Sequence, residues 1–422
     1  MEQESIDMKQ KFDLSLVLNS LFVLYAFVLP LSRASVGIAT LLIIILFLFS
    51  RNIKVSLKKI WKNPASRSIV IFVLFYFLTL LWLPLSQLKE GFRYLVPYLY
   101  LLPAVIMYVS VKKSYIPRIL SALILGMVVS EVISYGIYLE WWEREGVFVI
   151  NPSPFMHHIQ YSTFLAFTAL VILYRVLNEK ILYYRAAYGF FFIALTGTLF
   201  LTNGRTGQLA FLIGLFLLGF MHFPNKLKAL WVSLLLSAAV LFSAYQLSDT
   251  FKERISMTQS DMNNMIEKEN FGTSLGYRTG VTILSIPLIQ QHPILGNGVV
   301  DTMPLIREEA ERRFPDDYWL KRANHLQNQY LQVVVEVGVV GLSILMMMLY
   351  QIGRIPLRAD SYRTIKSILL IVFFITMLFD IQLHIQFTAG LFALMSGLIL
   401  AQSRVEHEEM SRSIKEPRLK DA

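Results

Sequence analysis

The stretches SVGIATLLIIILFLFS at residues 35–50 and ALWVSLLLSAAVLFSAYQ at 229–246 decide the fold class. Each is apolar over nearly its whole length, and a run of about 18 to 20 such residues spans a bilayer. No water reaches the bilayer core, so the backbone there must satisfy its own N–H and C=O groups, and the runs are read as helices. Working outward, comparable runs recur at 14–31, 68–83, 94–110, 119–139, 159–174, 186–202, 207–222, 327–350, 367–383 and 388–402. The expectation is an all-α membrane protein of about twelve transmembrane helices. A soluble chain of 422 residues would divide into two or three domains, but 55% hydrophobic and 16% charged residues set that division aside. The first run lacks a small-residue cleavage site and is as long as a span, so it is read as retained. Cysteine is absent, which excludes a disulfide framework and thiol chemistry.

The net charge of +10 does not point to nucleic acid, because the cations lie in short loops between apolar spans. With the N-terminus placed in the cytoplasm, the inside segments hold twenty-five Lys and Arg, beginning with Lys9 and Lys11. The short outside loops hold five: Arg33, Lys89, Arg93, Arg144 and Arg205. That asymmetry orients the chain with both termini inside. It divides into helices one to nine at 1–246, a large outside loop at 247–326, helices ten to twelve at 327–402 and a cytoplasmic tail at 403–422. Long translocated loops do not obey the charge rule, and a loop of this length in a compact protein is usually functional. Within it, 279–291 is apolar enough to lie at the membrane surface, 304–322 is expected as a charged helix, and HPILGNG at 292–298 is a turn-rich break.

Three polar strings fall on the outside face. Asn203-Gly204-Arg205-Thr206-Gly207 puts an obligate cation on a short Gly-flanked turn at the membrane edge. A guanidinium fork can hold two diphosphate oxygens at once, although an interfacial Arg can also snorkel to lipid headgroups. Gly276-Tyr277-Arg278-Thr279 offers a second such cation, against which stands a solvated loop Arg. The third string runs from Asn324 through His325, Leu326, Gln327, Asn328 and Gln329 to Tyr330. His325, Gln329 and Glu336 are spaced as one helical face. An imidazole there could accept a proton from a sugar hydroxyl, or serve as a cap. Glu336 lies well inside the bilayer, and a hydrogen bond to a neighbouring helix is its expected role. Asp380, with His384 a turn later, either orients a base, binds sugar or pairs with an arginine. Trp141 and Trp142 read as an interface belt, with His157 and His158 in the same outer loop. The adjacent Asp316 and Asp317 read as a solvated pair. No metal site, cofactor or nucleotide loop is expected.

These strings resemble the O-antigen ligase and polymerase superfamily, membrane proteins with one large periplasmic loop. The resemblance is carried by TNGRTGQL at 202–209, TSLGYRTG at 273–280 with the ILGNG that follows, and HLQNQYLQVVVEVGVVGL at 325–342. The family commonly has a second His where this chain has Gln327, and Gln is no base at neutral pH. Either His325 is the working imidazole or the step needs no strong base there.

The resemblance implies a GT-C-like glycosyltransferase of the bacterial inner membrane with a periplasmic site. The donor would be a glycan on undecaprenyl diphosphate, and the acceptor a sugar hydroxyl of lipid A–core. Transfer would invert the anomeric carbon without a metal and release undecaprenyl diphosphate. Arg205, Arg278 and His325 would be catalytic, with Tyr277, Asn328, Gln329 and Asp380 joining the two arginines in binding substrate. Membrane lipids are partners, nucleic acid is not, and a monomer is expected. A polymerase using the same donor is the near alternative, and a protein O-oligosaccharyltransferase a more distant relative. A lipid-linked sugar transporter is the alternative of another class. Transporters carry polar sites near the bilayer midplane, whereas the candidates here sit at its outer edge.

Overall fold

A computed structural model describes residues 14–248, 251–253 and 271–420. The N-terminal segment with Lys9 and Lys11, and the stretch 254–270 of the long loop, lie outside the described residues. The helices in chain order are α1 (Leu14–Val28), α2 (Arg33–Leu48), α3 (Ile53–Lys62), α4 (Pro64–Leu78), α5 (Leu88–Leu95), α6 (Leu102–Ser110), α7 (Ile116–Tyr138) and α8 (His158–Asn178). They continue with α9 (Leu182–Leu201), α10 (Arg205–His222), α11 (Lys226–Leu247), α12 (Ser274–Gln291), α13 (Thr302–Arg313), α14 (Gln329–Gly353), α15 (Asp360–Thr376) and α16 (Gln386–Lys420). No strand occurs among the described residues. The protein is an all-α, multi-pass membrane protein.

Each of the twelve expected spans falls on a helix, yet not every helix is long enough to cross alone. Among the described residues nine helical stretches are, or ten if α2 and α3, bent by 109°, count as one. α1 and α15 have 15 and 17 residues, short of the roughly 20 that a bilayer core requires. Local signals set several boundaries. The Asn63 side chain accepts from Ser66 N at 3.0 Å to start α4, with Pro64 in the first turn, where a missing N–H costs nothing. Asn225 starts α11 in the same way.

Packing separates core helices from lipid-facing ones. Of the apolar window of α16, 83% is buried, and of α8 72%, against 22% in α9 and in α11. Leu and Phe left exposed on such outer helices cost nothing in hydrocarbon, whereas polar groups must find partners. Glu336 does so through Tyr76 of α4 at 3.2 Å, Tyr94 of α5, and Gln332 at 2.6 Å, as expected of an acid bonded to neighbouring helices. Glu131 of α7, a second buried acid, accepts from Tyr161 of α8 at 2.8 Å and Thr198 of α9 at 2.7 Å.

The long loop is tied into the bundle at a break in α14. Val337 leaves helical geometry, and Gly338 takes φ +67° and ψ −169°, a conformation essentially closed to residues with a Cβ. The break frees backbone groups, and residues 293–298 satisfy them. Asn297 N donates to Val335 O at 2.8 Å and Gly298 N to Glu336 O at 2.9 Å. In return Val339 N donates to Pro293 O at 2.9 Å and Val340 N to Ile294 O at 3.3 Å. The turn-rich HPILGNG string is thus a plug seated against a transmembrane helix. A Cβ on Gly338 would lie 2.0 Å from Ile294 O, and one on Gly296 2.4 Å from Glu336 C.

Above the plug, Phe271, Val281, Leu284, Ile306, Leu320 and Val335 form a small separate core. The charged helix expected over 304–322 is shorter and stops at Arg313. Pro315 has no N–H to continue it and drives Phe314 out of the helical region, to φ −131° and ψ 62°. Asp317 is not a solvated acid. Its Oδ1 accepts from Trp319 N at 2.9 Å and Leu320 N at 2.8 Å, and its Oδ2 from Phe271 N at 3.3 Å.

Candidate active site

Four connections meet at one end of the bundle, and each holds a polar residue for a local reason. The turn before α10 is short. Asn203 N donates to Asn151 Oδ1 at 3.1 Å, and Gly207 N donates to Ser162 Oγ of α8 at 3.2 Å. A Cβ on Gly207 would stand 2.2 Å from Ser162 O, so α10 enters directly against α8. Arg205 is therefore fixed at the first residue of α10, where the helix dipole favours an anion.

Arg278 sits one turn inside α12, whose start is capped by Thr273 accepting from Gly276 N at 3.0 Å. Its guanidinium is held from two sides. Nη1 donates to Ser274 Oγ at 2.8 Å and Ser274 O at 3.2 Å, while Nε and Nη2 both donate to Phe379 O at 3.4 Å. Burial lowers its pKa, Asp380 opposes the shift and Arg205 adds to it. Two cations lining one cavity attract a multivalent anion.

His325 lies outside α14. The single helical face expected for His325, Gln329 and Glu336 fails at its first member, because Asn328 is the cap. Asn328 Oδ1 accepts from Tyr330 N and Leu331 N at 3.0 Å. Before it, Gln327 takes a left-handed φ of +48° and donates its N–H to His325 Nδ1 at 3.3 Å. Tyr277 OH donates to His325 O at 3.0 Å, and Leu326 N donates to Gln332 Oε1 at 2.8 Å. Through Gln332 the loop is bonded to Glu336. Burial lowers the His325 pKa, Asp380 opposes this, and Arg278 and His157 add to it. The imidazole is therefore neutral at pH 7, with its proton on Nε2 if Nδ1 accepts from Gln327.

Between these connections opens a cavity of about 600 Å³. Arg205, Tyr277, Arg278, Asn324 and Gln327 line it, as do His157, His158, Asn203, Tyr318, Trp319 and Arg322. Of the residues singled out from sequence, Arg205, Tyr277 and Arg278 are thus lining residues, and His325 lies between the lining residues Asn324 and Gln327. Asn328 is committed to its cap. Gln329 is fully buried, its N–H on Met377 O at 2.7 Å and its Oε1 accepting from Leu383 N at 2.9 Å. Asp380 is buried beyond the end of α15, accepting from Ile381 N at 2.8 Å. From there it favours the charged forms of His325, Arg278 and His157. His384 turns away and bonds Tyr94 O at 2.7 Å.

Sequence reasoning gave no role to His157 and His158, whose rings stand 4.0 Å apart at the cavity, nor to Trp319 and Arg322. The signal available was their position in outer connections, which the belt reading of Trp141 and Trp142 overshadowed. Among the described residues no three His, Asp or Glu side chains gather as a metal-ligand set.

The family model described as O-antigen ligase matches residues 190–346, a span that contains Arg205, Arg278 and His325. No curated protein matches the chain. The family match covers residues 190–346 alone; that part is similar to the O-antigen ligase family and supports, in general terms, a function of the O-antigen ligase or polymerase type.

Proposed function

We propose that the protein transfers a glycan from undecaprenyl diphosphate to a sugar hydroxyl of lipid A–core at the periplasmic face of the bacterial inner membrane. The observation that carries this reading is one cavity at an end of the helical bundle, lined by Arg205, Arg278 and Arg322 beside His325, whose pKa burial lowers. The acceptor oxygen attacks the anomeric carbon from the side opposite the diphosphate, so configuration inverts. The bond between the anomeric carbon and the diphosphate oxygen breaks, and its electron pair leaves on the diphosphate. Charge grows on that group in the transition state, and guanidinium groups fixed along the cavity wall stabilise it. His325, with Nδ1 occupied by Gln327 N, orients a substrate oxygen through Nε2–H, and the acceptor proton passes to water in the open cavity. This favours the second alternative left by Gln327, a step without a strong base. Both substrates are lipid-anchored, which accounts for a sugar-transferring site inside a helical membrane protein.

The charge asymmetry of the loops supports placing both termini in the cytoplasm and this end of the bundle in the periplasm. Because the chain has no cysteine, a single Asn324→Cys tests the sidedness. A membrane-impermeant thiol reagent should label it from the periplasmic side, and labelling only after the membrane is opened would refute the placement. Deleting the gene separates the functions. Loss of a ligase leaves long glycan on undecaprenyl diphosphate and none on lipid A–core. Loss of a polymerase leaves single repeats on lipid A–core, and loss of a transporter strands the unit on the cytoplasmic leaflet. Either of the last two outcomes would overturn the ligase proposal.

A further inference from the structure

Two side chains at the cavity, Tyr318 and Trp319, are large aromatics left 55% and 57% exposed. They belong to the folded loop rather than to a span, so an interface belt does not account for them. Their turn is rigid: Asp317 fixes the N–H groups of Trp319 and Leu320 from one oxygen and Phe271 N from the other. Phe271 lies two residues before Thr273, the cap of α12, so the turn and the helix carrying Arg278 are held in one frame. The two rings meet edge-on at 86° with centroids 5.4 Å apart. Arg322 covers the face of Tyr318 at 3.8 Å. Among the described residues, no ring or cation stacks on a face of Trp319.

A rigid, uncovered indole face beside guanidinium donors matches a pyranose ring. The sugar's C–H groups pack on the aromatic face while its hydroxyls bond the polar neighbours. We infer that Trp319, with Arg322, forms a sugar-stacking subsite that holds a pyranose next to the diphosphate. The inference rests on the glycan-transfer reading above. The ring could belong to the donor glycan or to the acceptor core, and the kinetic test tells them apart.

The experiment measures transfer by wild type, Trp319→Ala and Trp319→Phe while donor and acceptor are varied in turn. Trp319→Ala should raise KM for one of the two about tenfold, the scale of an aromatic contact worth about 1.4 kcal/mol, and leave kcat within about twofold. Trp319→Phe should recover most of the loss. A rise in donor KM assigns the subsite to the donor, and a rise in acceptor KM to the acceptor. Undecaprenyl diphosphate lacking sugar should bind wild type and Trp319→Ala equally, since the arginines hold it. Unchanged KM for both substrates overturns the subsite, and so does an equal loss of sugar-free lipid binding, which marks general disruption. Absence of transfer by the wild type overturns the glycosyltransferase reading itself.

Discussion

Replacing Arg278 by Lys keeps the charge and removes the fork. In the structure the guanidinium bridges two separate elements: Ser274 on its own helix, through Nη1 at 2.8 and 3.2 Å, and Phe379 O in the connection after α15, through Nε and Nη2 at 3.4 Å. Those bonds occupy both edges and leave one Nη2 proton and the delocalised charge for a ligand. A lysine ammonium is compact, cannot hold both anchors, and stands on a flexible stem. Removing one preorganised donor to a developing oxyanion costs about 10² to 10³ in rate, about 2.7–4 kcal/mol. We therefore expect Arg278→Ala to lose about 10³ in kcat. Arg278→Lys, retaining charge without placement, should lose about 10². Because the interaction strengthens in the transition state, kcat and kcat/KM should fall together. The assay is initial-rate transfer to lipid A–core by purified protein, with detergent-solubilised yield and elution position as checks on insertion. Activity of Arg278→Lys within about twofold of wild type would mean that a point charge suffices, as for a headgroup-facing cation, and would refute the reasoning.

His325→Gln keeps an N–H donor and should lose less than about 10² in kcat, because a residue that only orients is replaced by another that can. A loss of 10³ or more in the same rate assay would make His325 the base. Burial holds the His325 pKa below the ordinary imidazole range and Asp380 opposes that shift. Activity should therefore fall as pH drops below about 6.5, when protonation takes Nδ1 from Gln327 N. Asp380→Asn should move this acid limb to lower pH, and a move to higher pH in the pH–rate profile would contradict the assignment. Gly338→Ala should destabilise the break in α14 by about 1–3 kcal/mol from backbone strain alone. Added to that is the overlap with Ile294 O. The check is the unfolding temperature in detergent, and an unchanged value would show that the plug is not rigid.

The apolar runs made the long spanning helices legible, because continuous hydrophobicity over 15 or more residues has one backbone solution in lipid; α3, in the cationic segment between two runs, was not. Arg205 and Arg278 were legible too, as cations on Gly-flanked strings at the membrane edge. What local pattern could not disclose was how distant segments meet. The pairing of Pro293–Gly298 with Val335–Val340 joins residues some forty positions apart, and nothing in EVGVVG alone says that the helix opens there. The same holds for His325, whose helical spacing suggested a face until the side chain of Asn328 took the cap. Glu131 was an acid in plain sight within an apolar run, and the rule that flagged Glu336 applied to it equally. Trp319 reached notice only once the cavity showed what lay beside it.

The most direct measurement takes purified protein in liposomes with undecaprenyl-diphosphate-linked glycan, lipid A–core and a divalent-cation chelator, and identifies the products by mass. The account predicts glycan on lipid A–core with inverted anomeric configuration and one undecaprenyl diphosphate released per transfer, all lost in Arg205→Ala. A lengthened lipid-linked glycan, retained configuration, or transfer restored only by added divalent cation would contradict it.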